Sequence, residues 1–181
     1  ENNEKLTPHE FELKQFVNEN SSSDFGLSFY NDSTVVFASA RSSENPAYSW
    51  NDLPYLNLYT ATLNDSIVLK DIKPFSDVIN SSTHESNAAF TKDGKTMYVN
   101  RTNPARKRTD NERVAHIKIY KAELVDGAWT NITALPFTSD SYSTEHPALS
   151  KDEKTLYFAS DMPGSMGSFD IYRVTINDDE T

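Results

Sequence analysis

The stretch SSTHESNAAFTKDGKTMYVNR, Ser81 to Arg101, is answered further along the chain by YSTEHPALSKDEKTLYFASD, Tyr142 to Asp161. A more diverged third copy, SSSDFGLSFYNDSTVVFASAR, runs from Ser21 to Arg41. Working outward from these copies, Asp32, Asp93 and Asp152 are expected at equivalent turns, and Phe37, Val99 and Phe158 at equivalent places in the strand that follows. Each copy closes on a Tyr-bearing run: NLYTATL with Tyr59, KIYKAEL with Tyr120 and DIYRVTI with Tyr172. The period is about 60 residues, with four strand-like runs in each unit.

A period of that size with four strands per unit predicts a β-propeller blade. The expectation is an all-β fold: a partial β-propeller of three four-stranded antiparallel blades. The repeat units cover approximately 10–63, 66–125 and 128–176 of one propeller fragment. Each unit reads as an outer strand followed by three inner ones. The outer runs are Phe11–Val17, Ile67–Phe75 and Ala128–Phe137. Two of them end alike, Lys73-Pro74-Phe75-Ser76 and Leu135-Pro136-Phe137-Thr138, and proline suits an edge strand, where no ladder donor is lost. In Thr96–Val99 and Thr155–Phe158 both faces are largely apolar, which predicts strands covered on both sides. Asp93-Gly94 predicts a two-residue type I′ hairpin turn, with Asn31-Asp32 and Asp152-Glu153 as weaker versions. Three blades do not close a ring. The arc therefore predicts two exposed blade faces, unpaired edges prone to aggregation, and blades missing from the chain.

Composition agrees with strands. Aromatic residues make up 12% of the 181, with nine Tyr and ten Phe. There is no Cys, which excludes disulfides and thiolate metal sites. No run approaches the length of an apolar membrane span, and the polar opening at Glu1 lacks a leader pattern, which predicts a mature protein or a fragment. A net charge of −10 argues against nucleic acid as a partner. One window runs against that charge: from Arg101 to Lys121, seven Lys or Arg stand against Asp110 and Glu112. Within it, Arg106, Lys107, Arg108 and Arg113 are the candidate partner-binding residues. They fall in one of the two long Pro-containing insertions, Ser42–Leu53 and Asn103–Val114, and long loops on a rigid scaffold commonly carry binding.

No catalytic constellation emerges. The four His form no H-E-x-x-H, and no G-x-S-x-G elbow is present, so no catalytic residue and no cofactor is expected. His84-Glu85 and Glu145-His146 precede equivalent inner strands in mirrored order. They could meet as metal ligands in a central channel, although backbone or interblade bonding accounts for them more simply. Asp161 and Asp170 bracket the loop MPGSMGSF and are expected to accept its amides. The N-x-[ST] triplets at Asn20, Asn31, Asn64, Asn80, Asn100 and Asn131 reflect turns rich in Asn, Ser and Thr. Asp32-Ser33-Thr34 and Asp65-Ser66-Ile67 are similar to a short O-glycosylation motif of Bacteroidetes periplasmic proteins, which marks Ser33 and Ser66 as candidates.

The third unit resembles the WD-like (PD-type) β-propeller repeat. Pro147, Ala148, Leu149, Ser150, Asp152, Lys154, Leu156, Tyr157, Phe158, Ser160, Asp161, Gly164, Gly167, Asp170, Ile171 and Tyr172 match its pattern, while Lys151 and Glu153 replace a Pro and a Gly. Phrases such as LPYLNLYTATLN and LPFTSDSYSTEHPAL are similar to the propeller segment of Bacteroidetes OmpA-family envelope proteins, a family that includes a lipoprotein subunit of type IX secretion machinery. The resemblance implies a non-enzymatic scaffold, periplasmic and outer-membrane-associated. Its partners would be envelope proteins, and peptidoglycan would be reached only through domains this sequence lacks. The same repeat serves TolB-type proteins and prolyl-peptidase propellers, so two alternatives stand beside the scaffold: an accessory substrate-gating propeller of a hydrolase, and a glycan- or metal-binding propeller.

Overall fold

A computed structural model describes residues 13, 22–42, 46–48, 51–64, 68–105, 107–108 and 113–177. It contains strands and no helix among the described residues. The first sheet is a meander of β1 (Asp24–Phe29), β2 (Thr34–Ser39), β3 (Asn57–Leu63) and β4 (Leu69–Pro74). The second runs β5 (Glu85–Phe90), β6 (Thr96–Thr102), β9 (Ile117–Val125) and β10 (Ala128–Ala134), all antiparallel. Between β6 and β9 stands the small hairpin of β7 (Lys107–Arg108) and β8 (Arg113–Val114). The third sheet holds β11 (Thr144–Leu149), β12 (Thr155–Ser160) and β13 (Asp170–Thr175). The innermost strands β1, β5 and β11 stand side by side, and the sheets fan outward from them as three propeller-like blades.

The outer strands join differently from the sequence units. Leu69–Pro74 pairs with β3, and β10 pairs with β9, so each outer strand completes the blade before it rather than opening the next. The reason is local: Asn64–Val68 is a short connection, and antiparallel neighbours need only a tight turn. The third blade accordingly shows three strands among the described residues, where four were expected. The outer run Phe11–Val17 lies outside them, Leu13 apart.

The closing tyrosines confirm the repeat register. Phe37 pairs with Tyr59, Val99 with Tyr120 and Phe158 with Tyr172. Counted from these positions, the partner of Asp93 and Asp152 in the first blade is Asn31, not Asp32. Asn31 Oδ1 accepts from the Ser33 and Thr34 amides, as Asp93 Oδ1 accepts from the Lys95 amide and Asp152 Oδ1 from that of Lys154. The turns are also longer than a type I′ pair. Thr91 N donates to Thr96 O and Gly94 N to Thr91 O, and only Gly94 takes a positive φ, of 67°. Ser150–Thr155 repeats this geometry with Glu153 at φ 61°.

Two cores lie between the blades. Val36, Ala38 and Leu58 of the first pack against Ala88, Met97, Val99, Ala122 and Trp129 of the second. Tyr98 and Ile119 of the second pack against Leu156 and Phe158 of the third. β6 is thus covered on both faces, as expected, but β12 is covered on one, since Tyr157 is 40% exposed. The expectation of two open blade faces holds at the third blade only. On the first, Val35, Phe37, Tyr59 and Ala61 are buried, with the Arg41 guanidinium 5.2 Å from the Phe37 ring centre and 5.1 Å from that of Tyr59.

Candidate functional site

The two long insertions converge on one cleft between the first and second blades. Residues 46–48 and 51–55 are joined by the Ala47–Pro54 bridge, with Tyr48 N donating to Leu53 O at 2.7 Å and Tyr55 N to Pro46 O at 3.0 Å. This places Tyr48 and Tyr55 on opposite arms. Both rings lean on His84, at centroid distances of 5.3 and 4.4 Å, and on each other at 5.9 Å.

His84 is held from three sides. Its Nδ1 accepts the Leu56 amide at 3.2 Å, its carbonyl accepts the Thr102 amide at 2.9 Å, and the next residue's amide donates to Leu56 O at 2.9 Å. Burial pushes the imidazole below its ordinary value of 6.5. The ring is therefore neutral at pH 7, and with Nδ1 accepting, its proton sits on Nε2.

The other walls are equally braced. Thr83 Oγ1 donates to Thr102 O at 3.0 Å, and Asn103 Oδ1 accepts the Ala105 amide at 3.1 Å. Asn103 Nδ2 donates to Asp140 Oδ1 at 2.6 Å, and Lys118 Nζ lies 2.5 Å from the same oxygen. The Lys118 ammonium, with Asn103, holds the Asp140 carboxyl below its usual value. Pro104, Val114, Ala115 and Ile117 complete the lining of a cleft of about 530 Å³. That volume suits a small ligand or a few side chains of a partner.

Beside the cleft, the β7–β8 hairpin pairs Lys107 with Val114 and Arg108 with Arg113. Three of the four candidate cations therefore stand at the strand positions of a hairpin that also supplies a cleft wall. Arg106 lies outside the described residues. Ser33 sits exposed in the turn held by Asn31, and Ser66 lies outside the described residues.

The His/Glu pairs do not meet. Strand pairing sets Glu85 level with Thr144 and Ser86 level with Glu145, so the two pairs are not equivalent. Glu85 is fully buried against Arg101, whereas His146 is largely exposed, 3.7 Å from Glu145. Among the described residues no three His, Asp or Glu side chains converge. The loop carboxylates divide their work: Asp170 accepts the Met166 and Gly167 amides of its own loop, while Asp161 accepts Ser143 N, at the head of β11.

Sequence reasoning named His84, but as a ligand partner of Glu85, and it missed Tyr48 and Tyr55. The available signal was PAYSWNDLPY, a Pro-bracketed insertion with a tyrosine on each side of its turn. No protein-family model matches the chain, and no curated protein matches it. The fold stands on its own: an all-β chain of three packed antiparallel sheets, consistent with part of a propeller.

Proposed function

We propose that this chain is a non-enzymatic interaction module: a rigid propeller arc that presents the Tyr48–Tyr55–His84 cleft and the neighbouring cationic hairpin to a protein partner. The observation that carries the reading is the convergence of both long insertions on one braced cleft. An acidic partner surface fits the cationic window set in a chain of net charge −10. The resemblance to OmpA-family envelope proteins supplies the setting, a periplasmic scaffold attached to an outer-membrane complex such as type IX secretion machinery. Peptidoglycan would be held by domains outside this sequence.

Charge reversal at Arg106, Lys107 and Arg108 tests the hairpin, with co-purification from cell envelopes as the readout. Loss of partner recovery, with an unchanged circular dichroism spectrum, is the expected result. Full recovery of the same partners would remove the hairpin from the function. Tyr55→Ala tests the cleft in the same assay.

A further inference from the structure

We propose that the outer wedge between the first and second blades is a separate ligand site, one that takes a neutral sugar. The blades fan outward from their inner strands, and between the outer halves of the first two lies a cavity of about 690 Å³. It shares no lining residue with the Tyr48–Tyr55–His84 cleft. Tyr30, Phe75 and Trp129 line it as one aromatic group, with ring centres 5.7 to 6.3 Å apart. Thr60, Thr62, Asp71 and Lys73 line it from the outer strands of the first blade, and the second blade adds the small Gly127 and Ala128 beside Trp129.

The second blade shows how the same positions behave when they are closed. Counted from Tyr59 and Tyr120, Thr60 and Thr62 stand where the second blade has Lys121 and Glu123. Asp71, at φ 54°, stands at the outer-strand bulge where the second blade has Asn131, at φ 53°. In the second blade these long side chains satisfy one another. Asn131 Nδ2 donates to Glu123 Oε2 at 2.8 Å, and Lys121 Nζ lies 3.2 Å from Glu123 Oε1. In the first blade two short threonines leave the volume empty. The side chains of Thr60, Thr62, Asp71 and Lys73 make no hydrogen bond or ion pair among the described residues, so their bonding capacity faces the cavity unused. That capacity selects the ligand. Asp71 only accepts, Lys73 only donates and each threonine does both, which matches sugar hydroxyls, themselves donors and acceptors. Asp71 and Lys73 are the only charged side chains in the lining, so it carries no net charge, and an anion or a cation would meet a like charge beside its partner. The aromatic group offers apolar surface to the C–H face of a sugar ring, and the volume suits a mono- or disaccharide.

The test titrates the purified chain with cellobiose, chitobiose and lactose, with glycylglycine as the zwitterionic comparison, and follows the backbone amides by NMR. Saturable shifts at Thr60–Thr62, Asp71–Lys73 and Gly127–Trp129 with at least one of the sugars are expected. Asp71→Asn keeps a residue that tolerates the left-handed backbone, as Asn131 does at the equivalent bulge, and should weaken that sugar about tenfold by removing a charged acceptor. Thr60→Val, which removes one hydroxyl at constant shape, should weaken it about threefold. Tyr55→Ala, in the other cleft, should leave the sugar affinity unchanged, so this site and the partner-binding cleft stand or fall separately. Shifts with none of the three sugars, shifts with glycylglycine alone, an affinity that neither lining variant moves, or one that Tyr55→Ala lowers would each overturn the proposal.

Discussion

Glu85 has no exposed surface, yet it is held as a carboxylate acceptor by Ser81 N at 3.0 Å, Ser81 Oγ at 2.5 Å and Arg101 Nε at 3.0 Å. Arg101 also donates to Ile79 O and lies 5.2 Å from the Tyr120 ring centre, so the pair ties the interblade connection to the closing strand. Burial raises the Glu85 pKa above 4.5, and the bonds from Ser81 and Arg101 offset part of the rise. A raised folded pKa means that this group stabilises the fold fully below 4.5 and loses that contribution as pH climbs through the raised value. Removing one partner is worse, because it strands the other charge. Glu85→Ala should cost about 3–5 kcal/mol by urea denaturation. Adding Arg101→Leu should recover part of that loss, and strictly additive costs would show that the pair is not coupled.

His84, one residue earlier, works in the opposite direction. Its pKa is depressed, so its contribution is present above 6.5 and is lost as pH falls through the lowered folded value. Protonating Nδ1 would break the bond from the Leu56 amide and loosen the arm that carries Tyr55. The Leu56 amide should therefore exchange faster at pH 5 than expected from the intrinsic rate, while in His84→Gln the rate should follow the intrinsic pH dependence. An imidazole titration by NMR with a midpoint at or above 6.5 would contradict this.

At the scale of the element, the innermost strands β1 and β11 carry a bulge at one equivalent position, Gly26 at φ 66° and His146 at φ 57°, and β5 shifts register there at Asn87. A β-carbon on Gly26 would stand 2.9 Å from Asn87 Nδ2 on the next blade, so a larger residue there would displace the Asn87 amide as well as strain the left-handed backbone. Gly26→Ala should cost about 1–2 kcal/mol from the left-handed backbone alone, with more from the displaced Asn87. A loss under ~0.5 kcal/mol would mean that the strands part easily. Strand positions and the Tyr-bearing closures were legible because alternation and turn chemistry recur in every unit. His84-Glu85 and Glu145-His146 share their lettering but not their position: counted back from Asp93 and Asp152, Glu85 falls level with Thr144, so their difference stood in the spacing of the sequence. Asn31 and Asp32 could not be separated by chemistry, since either side chain can accept a turn amide. The blade boundary was hidden too, because a repeat period is unchanged whichever sheet its outer strand joins. The cleft was the least legible part: Tyr48 and Tyr55 sit in an insertion with no repeat partner, and His84 reaches them only through tertiary packing.

For the whole molecule, the consequence of stacked blades is a stability gradient along the arc. Each blade touches only its neighbours, so local stability depends on how many faces are covered. The second blade is sandwiched. Its Met97, Val99, Ala122 and Trp129 face the first blade, and its Tyr98 and Ile119 face the third. Trp129 further joins Tyr30, Phe75 and Phe90 in an aromatic cluster with centroids 5.1 to 6.3 Å apart, which locks the rim of the first two blades together. The third blade has one covered face and, among the described residues, a three-stranded sheet. Native-state hydrogen exchange on the 181-residue chain should therefore find the slowest amides in β6 and β9, and a separate, faster opening of β11–β13. Trp129→Ala, which removes a large ring at the first interface, should cost about 3–5 kcal/mol. It should also speed exchange in the first blade more than in the third. Equal protection of all three sheets, or a Trp129 effect spread evenly over them, would mean that the arc unfolds as one cooperative unit and that the open face of the third blade carries no energetic penalty.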